Sequence, residues 1–112
     1  MAKLPDPVIS NLFIIKRRLA ECVDRTTAME FRLFEQVGET SETLSEFEEL
    51  QDVEERLMLS YNRLHTLLLK VCQSQPTPSE DMLNLLYQAV EVASATLDAS
   101  VATLQEIQRD WN

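Results

Sequence analysis

Glycine is almost absent from this sequence: its 112 residues include one glycine, Gly38, and four prolines. Sheet proteins need many tight turns, and glycine and proline supply much of the backbone geometry for them. A chain with so few turn residues has room only for long elements joined by few connections. A glycine-rich phosphate-binding loop is excluded as well, because it needs several glycines. The composition therefore predicts an all-α protein.

Histidine is equally scarce, since His65 is the only one. No glutamate lies three residues before it, so the Glu-x-x-His pairing of di-iron helical bundles is missing. No set of zinc ligands surrounds it in the sequence, and a single histidine gives serine or cysteine nucleophiles no specific support. We expect His65 to lie at the exposed rim of a helix. We predict no catalytic residue, no metal site and no cofactor, and hence a protein that is not an enzyme.

The sequence has two cysteines, Cys22 and Cys72. On the helices predicted below, these residues are about 25 Å apart along the bundle. The α-carbons of a disulfide lie within about 7 Å of each other, so an intrachain bond is excluded. We expect Cys22 to be a small buried residue. Cys72 falls at the partner interface predicted below, where an interchain contact is an open alternative.

Basic residues are in the minority, with 10 Lys and Arg against 19 Asp and Glu and a net charge of −9. Such a surface repels phosphate, so we predict no nucleic-acid binding. No apolar run approaches the ~20 residues of a membrane-spanning helix, and the segment before Pro7 lacks the apolar stretch of a secretory signal. We therefore expect a cytoplasmic protein without membrane contact. Lys16, Arg17 and Arg18 follow an apolar segment, which leaves a membrane-surface helix as an alternative.

Apolar and small residues recur at alternating spacings of three and four in three long stretches, which is typical of helices that pack as in a coiled coil. Each row predicts the core-facing edge of one helix. The rows are Val8, Leu12, Ile15, Leu19, Cys22, Thr26, Met29 and Leu33; then Phe47, Leu50, Glu54, Leu57, Tyr61, Leu64, Leu68 and Val71; then Leu83, Leu86, Val90, Ala93, Leu97, Ser100, Leu104, Ile107 and Trp111. We therefore predict three long helices.

Capping and turn residues mark the ends of these helices. Asp6 and Pro7 can begin the first helix, Gly38 can end it, and Thr77 with Pro78 can begin the third. The candidate caps of the second helix are Thr40, Ser41 and Thr43. The predicted helices cover residues 7–37, 41–74 and 78–110. Because their connections are short, residues 1–112 should form a single antiparallel, up-down-up three-helix bundle.

One charged residue, Glu54, falls in the row of the second helix. A buried charge is costly unless it is paired. The predicted register brings Arg25 of the first helix level with it, so one interpretation is a buried Glu54–Arg25 ion pair that fixes the register. In the other, the row shifts to Val53 and leaves Glu54 at its rim. The sequence leaves both open.

The antiparallel register places the start of the first helix, the end of the second and the start of the third at one end of the bundle. This apolar end carries more large apolar residues than a three-helix core uses. An exposed apolar patch of that size usually marks an association surface. We therefore predict a homodimer through this end, with coverage by loops and the N-terminal tail, or by a different protein partner, as alternatives. The predicted interface consists of Val8, Ile9, Phe13, Ile14, Leu67, Leu69, Met82, Leu85 and Tyr87.

The opposite end is acidic, because the segment 39–55 contains eight acids and no base. Such a run is most often a solvated surface, although it could also receive a basic partner. We predict a small non-enzymatic interaction protein, such as an adaptor, regulator or chaperone, that self-associates. The alternative is an enzymatic or ligand-binding bundle with a pocket at a dimer interface. It requires that Glu54, Tyr61 and Glu91 converge on a cavity.

Overall fold

The computed structural model describes residues 4–111, and within that range it consists of three α-helices without a strand. These are α1 (Asp6–Gln36), α2 (Leu44–Gln73) and α3 (Glu80–Trp111). Each helix packs against both others, and together they form a rod of 56 × 20 × 17 Å. The predicted all-α fold and three-helix bundle are confirmed.

The predicted rows of α1 and α3 form the core. In α1 every member of the row is buried except Val8, which is partly buried. In α3 the row is buried except for the partly buried Leu83, Val90 and Trp111. The spacing of three and four thus predicted the buried edge of both helices, because these positions stay on one side of a helix.

In part of α2, the row of buried residues is shifted by one residue from the predicted row. Val53, Ser60 and Leu67 are buried, whereas Glu54 and Tyr61 are only partly buried. The interpretation in which the row shifts to Val53 is therefore confirmed. Leu67 belongs to the core rather than to the exposed surface, so its assignment to the partner interface is wrong.

The predicted Glu54–Arg25 ion pair is wrong. The only ion pair within residues 4–111 joins Arg17 and Glu21 on the surface. Arg25 lies on the side of α1 that faces α3, where it lines a shallow cleft together with α3 residues. Glu54 lies on the side of α2 that faces Glu30 of α1. The register placed the two residues at the same level but did not show that they lie on opposite sides of the core row.

The connection between α1 and α2 is built around Gly38 and Thr43. Gly38 follows the end of α1 with a φ of 79°, which is the left-handed conformation predicted for it. Thr43 is completely buried, and its hydroxyl donates to the carbonyl of Gly38 at 2.9 Å and accepts from the N–H of Thr40 at 2.9 Å. These bonds hold residues 38–43 in a turn, and α2 therefore begins at Leu44 rather than at residue 41.

The starts of α1 and α3 also differ from the predicted caps. Met82 donates its N–H to the hydroxyl of Ser79 at 3.1 Å, so Ser79 caps α3 and the prediction of Thr77 is wrong. Asp6 is the first residue of α1 rather than its cap, and Pro5 takes the cap position without a side-chain hydrogen bond. Several capping residues lie close together in both segments, and their local order does not determine which one is used.

Candidate functional site

Both cysteines are free, and Cys22 is buried, as predicted; Cys72 is exposed. Burial raises the pKa of the Cys22 thiol, so little thiolate forms there near neutral pH. Within residues 4–111 no three or more His, Cys, Asp or Glu side chains are grouped so that they could hold a metal ion. No helix of that range has an apolar stretch long enough to cross a membrane.

The surface of residues 4–111 carries open clefts with volumes between 170 and 370 Å³. One of about 310 Å³ lies between Leu4, Ile9 and the connection from α2 to α3. None of these clefts is lined by Glu54, Tyr61 or Glu91. The convergence that an enzymatic or ligand-binding bundle requires is therefore not observed at them.

The residues predicted to form the apolar end differ in exposure. Val8, Ile9 and Met82 are partly buried against the core, and Leu67 is part of it. The remaining five are exposed and come from all three helices: Phe13, Ile14, Leu69, Leu85 and Tyr87. They emerge around the bundle rather than from one side, so a single flat partner surface cannot cover all of them.

Large apolar side chains are also exposed outside the apolar end, which the sequence analysis did not anticipate. At the other end of the bundle, Phe31, Phe34, Val37 and Leu44 are each at least 39% exposed. A signal for part of this set was present in the sequence. Phe34 directly follows Leu33 of the core row, and this "one residue after the core" position recurs along both α1 and α2.

These positions form two flanking rows beside the core. The α1 flanking row is Ile9, Phe13, Lys16, Ala20, Val23, Thr27, Glu30, Phe34 and Val37, and the α2 flanking row is Phe47, Gln51, Glu54, Met58, Tyr61, His65, Leu68 and Cys72. Side chains of the two rows meet, as the contacts below show, because the same side of two antiparallel helices faces their shared boundary. We call the surface that they line the α1–α2 groove. It is largely apolar, with charges at a few places.

A buried lysine lies near one end of the groove. Lys16 is only 9% exposed, and its ammonium lies 5.0 Å from the ring centroid of Tyr61 and 5.4 Å from that of Phe13. The ammonium also donates to Nδ1 of His65 at 3.3 Å. No carboxylate of residues 4–111 lies within ion-pair distance of it. Two aromatic rings and an imidazole therefore stabilise the cation without neutralising it.

His65 is exposed, as predicted, but its contact with Lys16 was not foreseen. In the sequence, Lys16 stands out only as the first of three basic residues that follow an apolar segment. The signal for its contact lies in the predicted antiparallel register, in which residues of the first two helices are level when their numbers add up to about 77, as those of Lys16 and Tyr61 do. A long side chain that bends across a groove is not visible in a linear row.

Two acids face each other farther along the groove. Burial and the nearby charge of Glu54 raise the pKa of Glu30. Oε1 of Glu30 is buried and has no hydrogen-bond partner within residues 4–111. A buried oxygen without a partner costs free energy, and two adjacent carboxylates repel each other. This part of the groove therefore carries negative charge that no base of the described residues neutralises.

The acidic segment 39–55 is mostly solvated: six of its eight acids are exposed, and Glu46 and Glu54 are partly buried. Solvation is consistent with either interpretation of this segment. A basic partner would need exposed acids, and a surface without a partner would show the same exposure.

No protein-family model, curated protein or solved structure matches this chain. Three-helix bundles serve unrelated functions, so the fold by itself assigns none. The features particular to this bundle are its exposed apolar residues and the α1–α2 groove with its separated, unneutralised charges.

Proposed function

We propose that this chain is a small non-enzymatic interaction protein, with an adaptor, regulatory or chaperone-like role, and that it self-associates. The observation that carries the proposal is that four of the exposed large apolar side chains lie along the two flanking rows of the α1–α2 groove: Phe13, Phe34, Val37 and Met58. Scattered apolar residues are normal on a protein surface, whereas contiguous ones mark association sites. The free thiols Cys22 and Cys72 support a reducing compartment such as the cytoplasm.

The proposed contact surface starts at the apolar end and continues along the α1–α2 groove. Phe13 connects the two, because it belongs to the apolar end and its ring also contacts Lys16 in the groove. Ile9 is continuous with it, one turn earlier on α1. Leu67 is excluded from this surface by its burial. Ile14, Leu69, Leu85 and Tyr87 are exposed at the same end but lie outside the two flanking rows, so they do not belong to the proposed contact surface.

Light scattering of the purified chain tests the proposal. We expect a molar mass about twice the 12.9 kDa of one chain, and a Phe13→Glu variant that is monomeric with unchanged helical content by circular dichroism. Phe13 is 51% exposed, so a charge at this position is tolerated by the isolated bundle. A Val92→Glu variant is the matched control, because Val92 is similarly exposed on α3. A wild-type chain that stays monomeric up to hundreds of micromolar would refute self-association.

A further inference from the structure

The α1 flanking row reads nearly the same in both directions from Val23. Its members pair off at equal distances from that residue, to within one position along the chain. From the outside inwards the pairs are Ile9 with Val37, Phe13 with Phe34, Lys16 with Glu30, and Ala20 with Thr27. Three of the pairs match in size and polarity, and the charged one of these has opposite signs; the fourth pairs the small Ala20 with the larger and polar Thr27. An antiparallel copy of this row would therefore place like shapes and unlike charges opposite each other.

The α2 flanking row has the same property around Met58. Its exposed or partly buried pairs are Gln51 with His65 and Glu54 with Tyr61; the outer pair joins the partly buried Phe47 with Leu68, which is buried in the core like Leu67. Apolar side chains match apolar ones, and polar side chains match polar ones. A phenol opposite a carboxylate can donate a hydrogen bond to it. Two neighbouring helices thus share the same symmetry on the same side of the bundle.

The two centres of symmetry lie level with each other. The contacts that cross the groove are Lys16 to Tyr61, Lys16 to His65, and Glu30 to Glu54. Residues of two antiparallel helices that lie at the same level have nearly the same sum of residue numbers. The sums for these three pairs are 77, 81 and 84, and the sum for Val23 and Met58 is 81. A single axis perpendicular to the helices can therefore pass near both residues.

We propose, building on the self-association proposed above, that a second copy of this chain occupies the α1–α2 groove, related by a two-fold axis that passes near Val23 and Met58 perpendicular to the helices. The α1 helices of the two copies then pack antiparallel, and so do the α2 helices. Lys16 of each copy lies opposite Glu30 of the other. Tyr61 of each copy lies opposite Glu54 of the other. The interface is isologous, as in most homodimers.

The charges favour this arrangement over the isolated chain. Lys16 and Glu30 are fourteen residues apart on one helix, about 21 Å, so they cannot pair within a chain. In the proposed dimer the unneutralised ammonium meets the carboxylate whose Oε1 lacks a partner. A hydrogen bond between ionised groups is stronger than one between neutral groups. One symmetry operation therefore gives Lys16 a carboxylate of opposite charge and gives the buried Glu30 Oε1 a hydrogen-bond donor.

The charges also exclude the other simple two-fold arrangement. An axis parallel to the helices would keep identical residues of the two copies at the same level. It would also place α1 of each copy opposite α2 of the other, so Glu30 would face Glu54 of the second copy, and Lys16 would face Tyr61 and His65 rather than a carboxylate. Like charges opposite each other across an interface are unfavourable. The perpendicular axis is the one that brings opposite charges together.

The groove is large enough for a stable interface. The α1 flanking row extends from Ile9 to Val37, about 42 Å at 1.5 Å per residue. The bundle is about 20 Å wide. The product is on the order of 800 Å², the area that each partner buries in an interface of standard size. Ala20 next to the axis leaves room for the two α1 helices to approach.

Two charge-reversal variants test the proposed contact: Lys16→Glu and Glu30→Lys. In a homodimer of either variant, like charges meet at both Lys16–Glu30 contacts, so we expect its dissociation constant to rise about 10-fold or more. In a 1:1 mixture the heterodimer has opposite charges at both contacts. We therefore expect light scattering to show monomers for each variant alone and a dimer for the mixture. No contact within one chain explains that result.

Arg17→Glu and Asp24→Lys are the matched controls, because both residues are exposed on the side of α1 away from the groove. Each of these variants should dimerise like the wild type, alone and mixed. The proposal is overturned if Lys16→Glu and Glu30→Lys each dimerise like the wild type. It is also overturned if their mixture remains monomeric while circular dichroism shows both variants folded.

A crosslink locates the axis without changing a charge. In a Cys72→Ser background, Met58→Cys places a thiol beside the same thiol of the second copy, and we expect a covalent dimer after oxidation. Leu59→Cys is the control; Leu59 is 70% exposed but does not belong to the flanking row. Crosslinking of Leu59→Cys in preference to Met58→Cys, in a chain that is dimeric, would overturn the groove dimer and leave self-association standing. A monomeric wild type would overturn both.

Discussion

Lys16 and Glu30 lie on the same edge of α1, seven residues on either side of Val23, and neither has a partner of opposite charge within residues 4–111. The ammonium is nearly buried among Phe13, Tyr61 and His65. The carboxyl group has a buried oxygen without a hydrogen bond. Partly buried charges are costly when unpaired, so their placement at mirrored positions of one groove is the main structural reason to expect a second copy there.

The aromatic contacts of Lys16 should contribute to the stability of the isolated bundle. In a Thr27→Glu background, chosen because a charge beside the axis keeps the chain monomeric, we expect Lys16→Met to lower the free energy of unfolding by about 0.5–1 kcal/mol through loss of the cation–π contacts. Lys16→Ala also removes the buried stem, so it should cost about 1–2 kcal/mol. Urea unfolding measures both. Arg17→Ala, which breaks only an exposed ion pair, should stay within about 0.5 kcal/mol. Equal effects of all three would contradict the buried position of Lys16.

The raised pKa of Glu30 predicts a pH dependence of stability. Burial and the charge of Glu54 raise this pKa above its ordinary value of 4.5, so the folded chain holds the proton more tightly than the unfolded chain. The resulting stabilisation is present below pH 4.5 and is lost as the pH rises through the raised pKa. In an Ala20→Glu background, where a charge beside the axis keeps the chain monomeric, Glu30→Gln should therefore gain stability relative to Glu30 as the pH rises from 4 to 7.5. Urea unfolding at both pH values would contradict this if the difference between the two chains did not change.

Thr43 should be the most sensitive residue of the turn between α1 and α2. Its buried hydroxyl donates to Gly38 and accepts from Thr40, and Thr43→Ala leaves both groups unpaired. We expect a loss of about 1–2 kcal/mol, measured by thermal unfolding. Ser41→Ala in the same turn is the control, because Ser41 is exposed. A loss as large in the control would show that the hydroxyl of Thr43 has no special role.

The start of α3 offers a comparison between two neighbouring capping candidates. Ser79 accepts the N–H of Met82, so Ser79→Ala should lower stability by about 1 kcal/mol. Thr77→Ala should change it by less than about 0.5 kcal/mol, as surface substitutions usually do. Chemical denaturation of the two variants distinguishes them. The reverse order would place the cap at Thr77, as the sequence alone predicted.

The sequence predicted the helices and most of the core because burial repeats with the period of a helix. It did not decide between Val53 and Glu54, because α2 has adjacent residues that can each continue the row, and only packing against α1 and α3 selects one of them. It gave the level of Arg25 along the bundle but not its side, and so proposed an ion pair that does not form. The contacts of Lys16 with the aromatic rings and with His65 were not predicted either, because a linear pattern does not show where the end of a flexible side chain lies.

The α1–α2 groove, where we propose that the second copy binds, was harder to predict for a related reason. The flanking rows mix apolar, small and charged residues, so neither row stands out as a hydrophobic pattern. Val23 and Met58 become recognisable as centres only when the cross-groove contacts fix the two helices relative to each other. The apolar end, in contrast, was noticed because its large residues are close together in the sequence, yet the structure distributes them around the bundle.

Distances between spin labels on two copies test the groove dimer most directly. Ser10→Cys and Asp24→Cys, each made in a Cys72→Ser background, place one nitroxide per chain on the exposed side of α1. The remaining thiol, Cys22, is not labelled because it is buried and its pKa is raised. Because Asp24 is next to the proposed axis and Ser10 is thirteen residues from Val23, double electron–electron resonance should give an intermolecular distance roughly 20 Å longer for Ser10 than for Asp24. Equal distances, or no intermolecular distance at either site, would contradict the antiparallel groove dimer.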